Sequence, residues 1–440
     1  MIITNAWTCK INEDSVEPVF GDIRITDGKI SGINEKPFDP KQDFSKAGID
    51  EDVLNAGGRV ITIPLVNFHD HFYSRMAKGL PVIGEMDNFE NILKNLWWKL
   101  DVVLDKEMIR ASAQMAALES IRQGVTYIFD HHSSPNTPGG SLEIIANVLN
   151  EVNLRGVLCF ETTDRNGNDL AAEGIKENKN FIKKNNDDIK SLLGLHASFT
   201  LYDESLSAAS EIVKEYDLGI HIHLCEDKID SEESIKKYGA SPVERLRKYN
   251  LFNNKSILSH GIHLTEKDYD SIAKFGCGIA YNPDSNLNNA VGLARLKNIP
   301  AEIPILTGTD GMHSNPARSL KQLFLLSRYS GMSFDESFSL IKRIYFNQIN
   351  FVQKFFPDFT SLNINNRADL ILWDYIPPTP ISKDNFWGHY IYGIIERPVH
   401  SVIQKGRLFL KEFTLQFDDT EYNKNITQQG YRLYNKFSSE

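Results

Sequence analysis

Cysteine is scarce in this chain, with four in 440 residues. Cys9, Cys159, Cys225 and Cys277 are far apart and form no C-x-x-C, which argues against a disulfide framework and a thiolate zinc site and suits a reducing cytoplasm. Long apolar runs are missing too: nowhere do about eighteen apolar residues follow one another. The start, Met1-Ile2-Ile3-Thr4-Asn5-Ala6-Trp7, lacks the basic flank and apolar stretch of a targeting peptide, so no membrane partner is expected. Basic clusters are absent as well, with 48 Lys and Arg against 58 Asp and Glu and a net charge of −10, which excludes a nucleic-acid partner as the expectation. What is left is an ordinary globular composition, 41% hydrophobic and 24% charged, long enough for a large core and a satellite domain. A small-molecule substrate fits best, and assembly into a homo-oligomer is left open.

What is present is a change of texture along the chain. Residues 20–26 and 29–33 read as strands around Asp27-Gly28, a hairpin signal, so residues 1–58 open as a β unit. From there apolar strand-like runs alternate with amphipathic segments such as 108–119, whose apolar positions recur three and four apart. Eight strand candidates appear, at 60–66, 125–130, 155–160, 191–196, 219–223, 255–260, 278–281 and 303–307. This pattern predicts an α/β fold, a (β/α)8 TIM barrel over 59–364 with its site at the C-terminal ends of the strands. Runs at 367–373 and 400–409 read as strands again, so residues 365–440 are expected to join 1–58 in a small β-sandwich domain.

Histidine is distributed unevenly. Of twelve, ten lie at or just past these strand ends: His69, His71, His131, His132, His196, His221, His223, His260, His263 and His313. In an extended segment His69 and His71 point to the same side and can share one cation. His223 after the fifth strand and Asp310 after the eighth complete three imidazoles and a carboxylate, with a position left for water. Glu226, three residues past His223, can face that water or be an ordinary loop carboxylate. His221 alternates with His223 and reads as a supporting group.

His69-Asp70-His71, His223-Leu224-Cys225-Glu226, Ser259-His260-Gly261 and Gly308-Thr309-Asp310-Gly311, in this order, resemble the signature of the amidohydrolase superfamily, in its mononuclear aminohydrolase and chlorohydrolase branch. Asp130-His131-His132-Ser133-Ser134-Pro135, Cys159-Phe160-Glu161 and Asn282-Pro283-Asp284-Ser285-Asn286 look closest to SsnA-type aminohydrolases. The resemblance implies one divalent ion, zinc with iron as the alternative, on His69, His71, His223 and Asp310. It implies Asp310 as acceptor of the water proton, Glu226 as proton shuttle, His260 as electrophile and His196 as a hydrogen-bond partner of the substrate. His131, His132, Glu161, Asp164, Arg165, Asn282 and Asn286 are candidates for ring recognition or, equally, for supporting the site and fixing its loops. His196 stands where a lysine-carbamate bridge would need lysine, which speaks against a two-metal centre. The implied reaction is hydrolysis of a C–N bond in a purine-, pterin- or pyrimidine-like heterocycle with release of ammonia. Two alternatives are a cyclic amidohydrolase that opens a ring and a metal-binding protein without turnover.

Overall fold

The computed structural model describes residues 1–41 and 53–439, so part of the expected 1–58 segment lies outside the described residues. The described residues separate into two compact units, 1–41 and 53–66 with 120–126 and 356–419, and 67–119 with 127–355 and 420–439.

The first unit holds a nine-stranded sheet drawn from both chain ends. Val16–Thr26 and Lys29–Glu35 pair antiparallel, Thr26 opposite Lys29. Asp27 and Gly28 between them have φ of 49° and 73°, the two left-handed residues that a tight hairpin with matching twist requires. Val60–Thr62 joins the two ends of the chain, parallel to Ile2–Ile11 on one side and antiparallel to Leu370–Trp373 on the other. Val399–Gln404, Arg407–Lys411 and Thr414–Leu415 extend the sheet beyond that.

The second unit is the barrel. Its strands are Leu65–Asp70, Val125–His132, Arg155–Phe160, the interrupted pair Ile189–Ser191 and Leu193–Ala197, Ile220–Leu224, Ile257–His260, Gly278–Tyr281 and Ile305–Thr307. They form two parallel ladders, and parallel bridges Thr162 to Leu195 and Asp70 to Asp310 join the ladders into a closed ring. Stacked rings of Phe68 and Phe129, centroids 4.8 Å apart, fill part of the interior, with Phe351 and Phe355 against them.

Two boundaries differ from the sequence reading. The run at 60–66 is two strands, because Pro64 has no N–H for a ladder: Val60–Thr62 stays in the nine-stranded sheet and the first barrel strand begins at Leu65. Residues 420–438, read from the sequence as part of the strand-rich end, form a helix, Thr420–Ser438, grouped with the barrel. Asn425 bonds Gln114 and Arg432 pairs with Asp105, so polar contacts fix it there.

Candidate active site

Backbone geometry at the strand ends sets the site. Cys225, His260 and Asp310, each at the end of a barrel strand, have φ of 50°, 75° and 53°. Such left-handed backbone in residues with a Cβ costs energy and persists where surrounding bonds enforce it. For Asp310 those bonds are visible: Thr309 and Asp310 both donate their N–H to the His69 carbonyl at 3.0 Å. Gly308 permits this approach, since a Cβ there would lie 2.3 Å from Asn282 Oδ1 and 2.7 Å from His69 Cβ. Beneath them Arg75, fully buried, is paired with Asp70 and donates to the carbonyls of Gly311 and His313, tying the Asp310 loop to the first strand.

The tautomers of two imidazoles follow from their partners, and a third ring is oriented by its own. His71 Nδ1–H donates to the His131 carbonyl at 2.6 Å and His223 Nδ1–H to the His196 carbonyl at 3.1 Å. His69 Nδ1 lies 2.9 Å from His221 Nε2, a donor facing an acceptor. Each ring is thereby held with Nε2 turned inward. His71 Nε2 and His223 Nε2 face each other at 3.1 Å, and His69 Nε2 is buried with no hydrogen-bond partner among the described residues. Two lone pairs at that distance repel unless a proton or a metal cation stands between them. Asp310 Oδ1 adds negative charge at the same point, 2.9 Å from His71 Nε2 and 3.6 Å from His69 Nε2. Burial alone lowers the His71 pKa, yet its hydrogen bond to Asp310 and the charge of that carboxylate push it up to about 9. Ligand atoms of His69, His71, His131 and His223 lie within 4.8 Å of one another, as do those of His69, His223, His260 and Asp310. A tetrahedral divalent ion with bonds of about 2.1 Å sets its ligands roughly 3.4 Å apart, so the donor set fits such an ion.

Beside this floor stand Glu226 and His260, 3.4 Å apart between Oε2 and Nε2. Asn286 Nδ2 can only donate, and it lies 2.8 Å from His260 Nδ1, so the ring proton sits on Nε2, toward the site. Burial pulls the His260 pKa down to about 3, keeping the ring neutral. Burial, then the charge of Asp310, raises the Glu226 carboxyl well above its ordinary range, so it holds a proton. Burial also acts upward on Asp310, but the His69 and His71 imidazoles beside it hold it well below the usual carboxylate range.

On the other flank Glu161 Oε1 is 3.3 Å from His196 Nε2. The Thr200 hydroxyl gives its proton to the Ala197 carbonyl and so accepts from His196 Nδ1 at 2.7 Å. His196 Nε2 is therefore an acceptor and Glu161 the donor, in line with burial pushing the Glu161 pKa up to about 8. Arg165 is paired with Asp101, which also accepts from Ser133 at 2.9 Å, and its guanidinium lies 5.1 Å over the Trp98 ring.

A pocket of about 690 Å³ of empty space, counting the solvent at its mouth, opens above. Of the residues singled out from the sequence, His71, Glu161, Arg165, His196, His223, Glu226 and Asp310 line it. His69, His131, His260 and Asn282 do not: all are buried beneath its surface. Asn282 Nδ2 points to the Ala280 carbonyl and the back of His260. Asp164 accepts from Tyr202 N and Ser205 Oγ and so fixes a loop. The apolar wall was not read from the sequence. It comprises Tyr73, Phe89, Leu93, Trp97, Trp98 and Phe199. Most of it follows the first strand, where a short helix at Phe89–Ile92 passes through a π-helical turn, Leu93–Trp97, into Trp98–Val103. The adjacent Trp97-Trp98 pair in a loop after a strand was the available signal.

Known proteins resemble this chain in sequence and in fold. The sequence profile described as the Amidohydrolase family matches residues 60–409. A 5'-deoxyadenosine deaminase of Methanosphaera stadtmanae is 26% identical over 436 residues, 95% of this chain and 94% of its own. A 5-methylthioadenosine/S-adenosylhomocysteine deaminase of Pyrococcus horikoshii is 30% identical over 308 residues, 69% of each chain. In fold, an adenosine deaminase from Xanthomonas campestris with bound zinc superposes with a TM-score of 0.77 at 18% identity, over 99% of this chain and 98% of its own. The guanine deaminase of E. coli does so with a TM-score of 0.75 at 18% identity, over 93% and 98%.

Proposed function

Because this chain belongs to the amidohydrolase family, whose profile spans most of its length, we propose that it is a metal-dependent aminohydrolase that takes the exocyclic amino group from an adenine-type heterocycle, a nucleoside in the first instance. The observation that carries this reading is the set of three inward Nε2 atoms and Asp310 on the floor of an aromatic-walled pocket, with the Glu226 carboxyl and His260 beside them.

His69, His71, His223 and Asp310 are the residues that would hold the ion. Bound there, a divalent cation supplies the Lewis acidity that makes water nucleophilic near neutral pH. The chain's own groups then manage the protons. Asp310, held ionised, accepts one from the attacking water. Glu226, held protonated, delivers a proton to the ring nitrogen next to the attacked carbon, takes the proton from Asp310 and passes it to the leaving amine, and is restored by the second proton of the water. His260 presents Nε2–H toward the oxygen on which charge develops. Water's oxygen ends as a ring carbonyl, and the amine departs as ammonia. His196, Glu161 and Arg165 offer polar groups at the pocket edge, while Trp97, Trp98, Phe89 and Phe199 give a flat ring apolar faces to lie on.

The test is incubation of metal-loaded protein with adenosine, 5'-deoxyadenosine and a panel of aminopurines, aminopterins and aminopyrimidines. Ammonia release with the ring intact, read from the ultraviolet spectrum, is the expected outcome. A new carboxylate without ammonia would assign ring opening instead, and no turnover of any compound would leave a binding protein.

A further inference from the structure

The geometry points to His131 as a further ligand of the metal ion, in addition to the three imidazoles and the carboxylate already described. His131 ends the second barrel strand, is fully buried and takes no part in lining the pocket. One of its ring nitrogens lies within 4.8 Å of ligand nitrogens on His69, His71 and His223. Its ring centroid is 5.7, 5.6 and 4.8 Å from theirs, much as those three are 4.7, 5.0 and 5.1 Å from one another. Imidazoles at such spacings can radiate from one point.

Neither ring nitrogen of His131 has a hydrogen-bond partner among the described residues. Burying an imidazole in that state costs free energy unless something else engages it. The surroundings indicate what. Glu161 uses Oε1 toward His196, so Oε2, itself without a partner, is left as an acceptor 3.6 Å from His131 Nδ1. That contact is longer than a hydrogen bond, but it turns Nδ1 toward the acceptor, and with the ring proton on that side Nε2 keeps a bare lone pair. A histidine backed by a carboxylate on one nitrogen, with the other free, is the usual arrangement of a metal-bound imidazole. The stacked His221 ring, 4.6 Å away, holds the plane.

This extra donor makes the centre richer in nitrogen than a four-ligand zinc site and favours ions that accept five or six ligands. Crystals of zinc-loaded wild-type protein test it directly by anomalous scattering. The expected result is an ion among His69, His71 and His223 with a His131 nitrogen at about 2.1 Å. An ion there with His131 beyond bonding distance overturns the inference alone, whereas an ion elsewhere overturns the four-residue assignment on which it builds. A second readout is cobalt substitution of the wild type and of His131→Ala. The wild type should show the weak visible bands of a five- or six-coordinate ion, and the variant should show stronger bands and a metal affinity lower by about tenfold or more. Identical spectra in the two proteins, with or without a change of affinity, would refute ligation by His131.

Discussion

The floor and the wall of the pocket are built on different principles. The floor is made of residues at strand ends, each oriented by a hydrogen bond to another strand: His71 to the His131 carbonyl, His223 to the His196 carbonyl, His69 to His221. The wall is made of side chains from short helical segments between the strands, held by a small apolar cluster of Phe89, Leu93, Ile262 and Val291 with Trp97, Trp98 and Phe199 packed on it. A closed barrel fixes strand ends against one another, whereas aromatics between the strands move with the turn that carries them. The floor should therefore govern turnover and the wall the choice of ligand.

Removing a floor ligand should have the largest effect. His223→Ala should lose metal on dialysis and cut activity by about 10⁴-fold or more, because the Lewis acid goes with it. Metal analysis and turnover on the same sample check this. Retained metal with normal turnover would show that the floor is not the centre. Next, Glu226→Gln keeps shape and size but cannot cycle a proton, so metal content should stay and kcat fall by about 10² to 10⁴. Near-normal kcat with bound metal would make Glu226 a bystander of the floor.

The same contrast explains what the sequence disclosed. His69, His71, His223, Glu226, His260 and Asp310 stand at fixed offsets from apolar runs, so motif order and alternation place them. Depth is different. His131 and Asn282 also sit at strand ends and read as groups that touch substrate, yet the barrel's register puts both beneath the pocket surface. Alternation tells which way a side chain faces, not which layer of the interior it reaches. The wall was illegible because a π-helical turn, which no hydrophobic period announces, sets where Trp97 and Trp98 point. A smaller effect is expected there. Trp98→Ala should raise KM roughly 5- to 30-fold, the worth of about 1 to 2 kcal/mol of ring contact, and leave kcat within a few-fold. A fall in kcat at unchanged KM would erase the division between wall and floor.

Asp230 joins the two regions and gives the smallest predicted change in activity. It is buried on the pocket side, and its Oδ2 accepts from Cys225 N at 2.7 Å, holding the left-handed residue just before Glu226. Its neighbour Ile229 packs on the apolar cluster. Burial pushes the Asp230 carboxyl up to about 7, against hydrogen bonds from Cys225 and Phe199 and the charge of Arg245. The ordinary value is 3.8, so between that pH and about 7 the folded chain binds a proton that the unfolded chain has lost. The unfolded state thus binds fewer protons, and stability must fall as pH rises through this window, levelling off above it. Asparagine can still accept from Cys225 N and cannot ionise. In Asp230→Asn this part of the pH dependence should vanish, so its melting temperature should gain on the wild type between pH 5 and 8, by about 2 °C for each kcal/mol or so of removed penalty. Turnover should change little, since the bond that sets Cys225 remains. If the gap between the two melting temperatures stays constant across that range, Asp230 is ionised throughout. If instead kcat drops as far as in Glu226→Gln, the carboxylate itself serves the floor, and the boundary between floor and wall runs on the far side of Asp230.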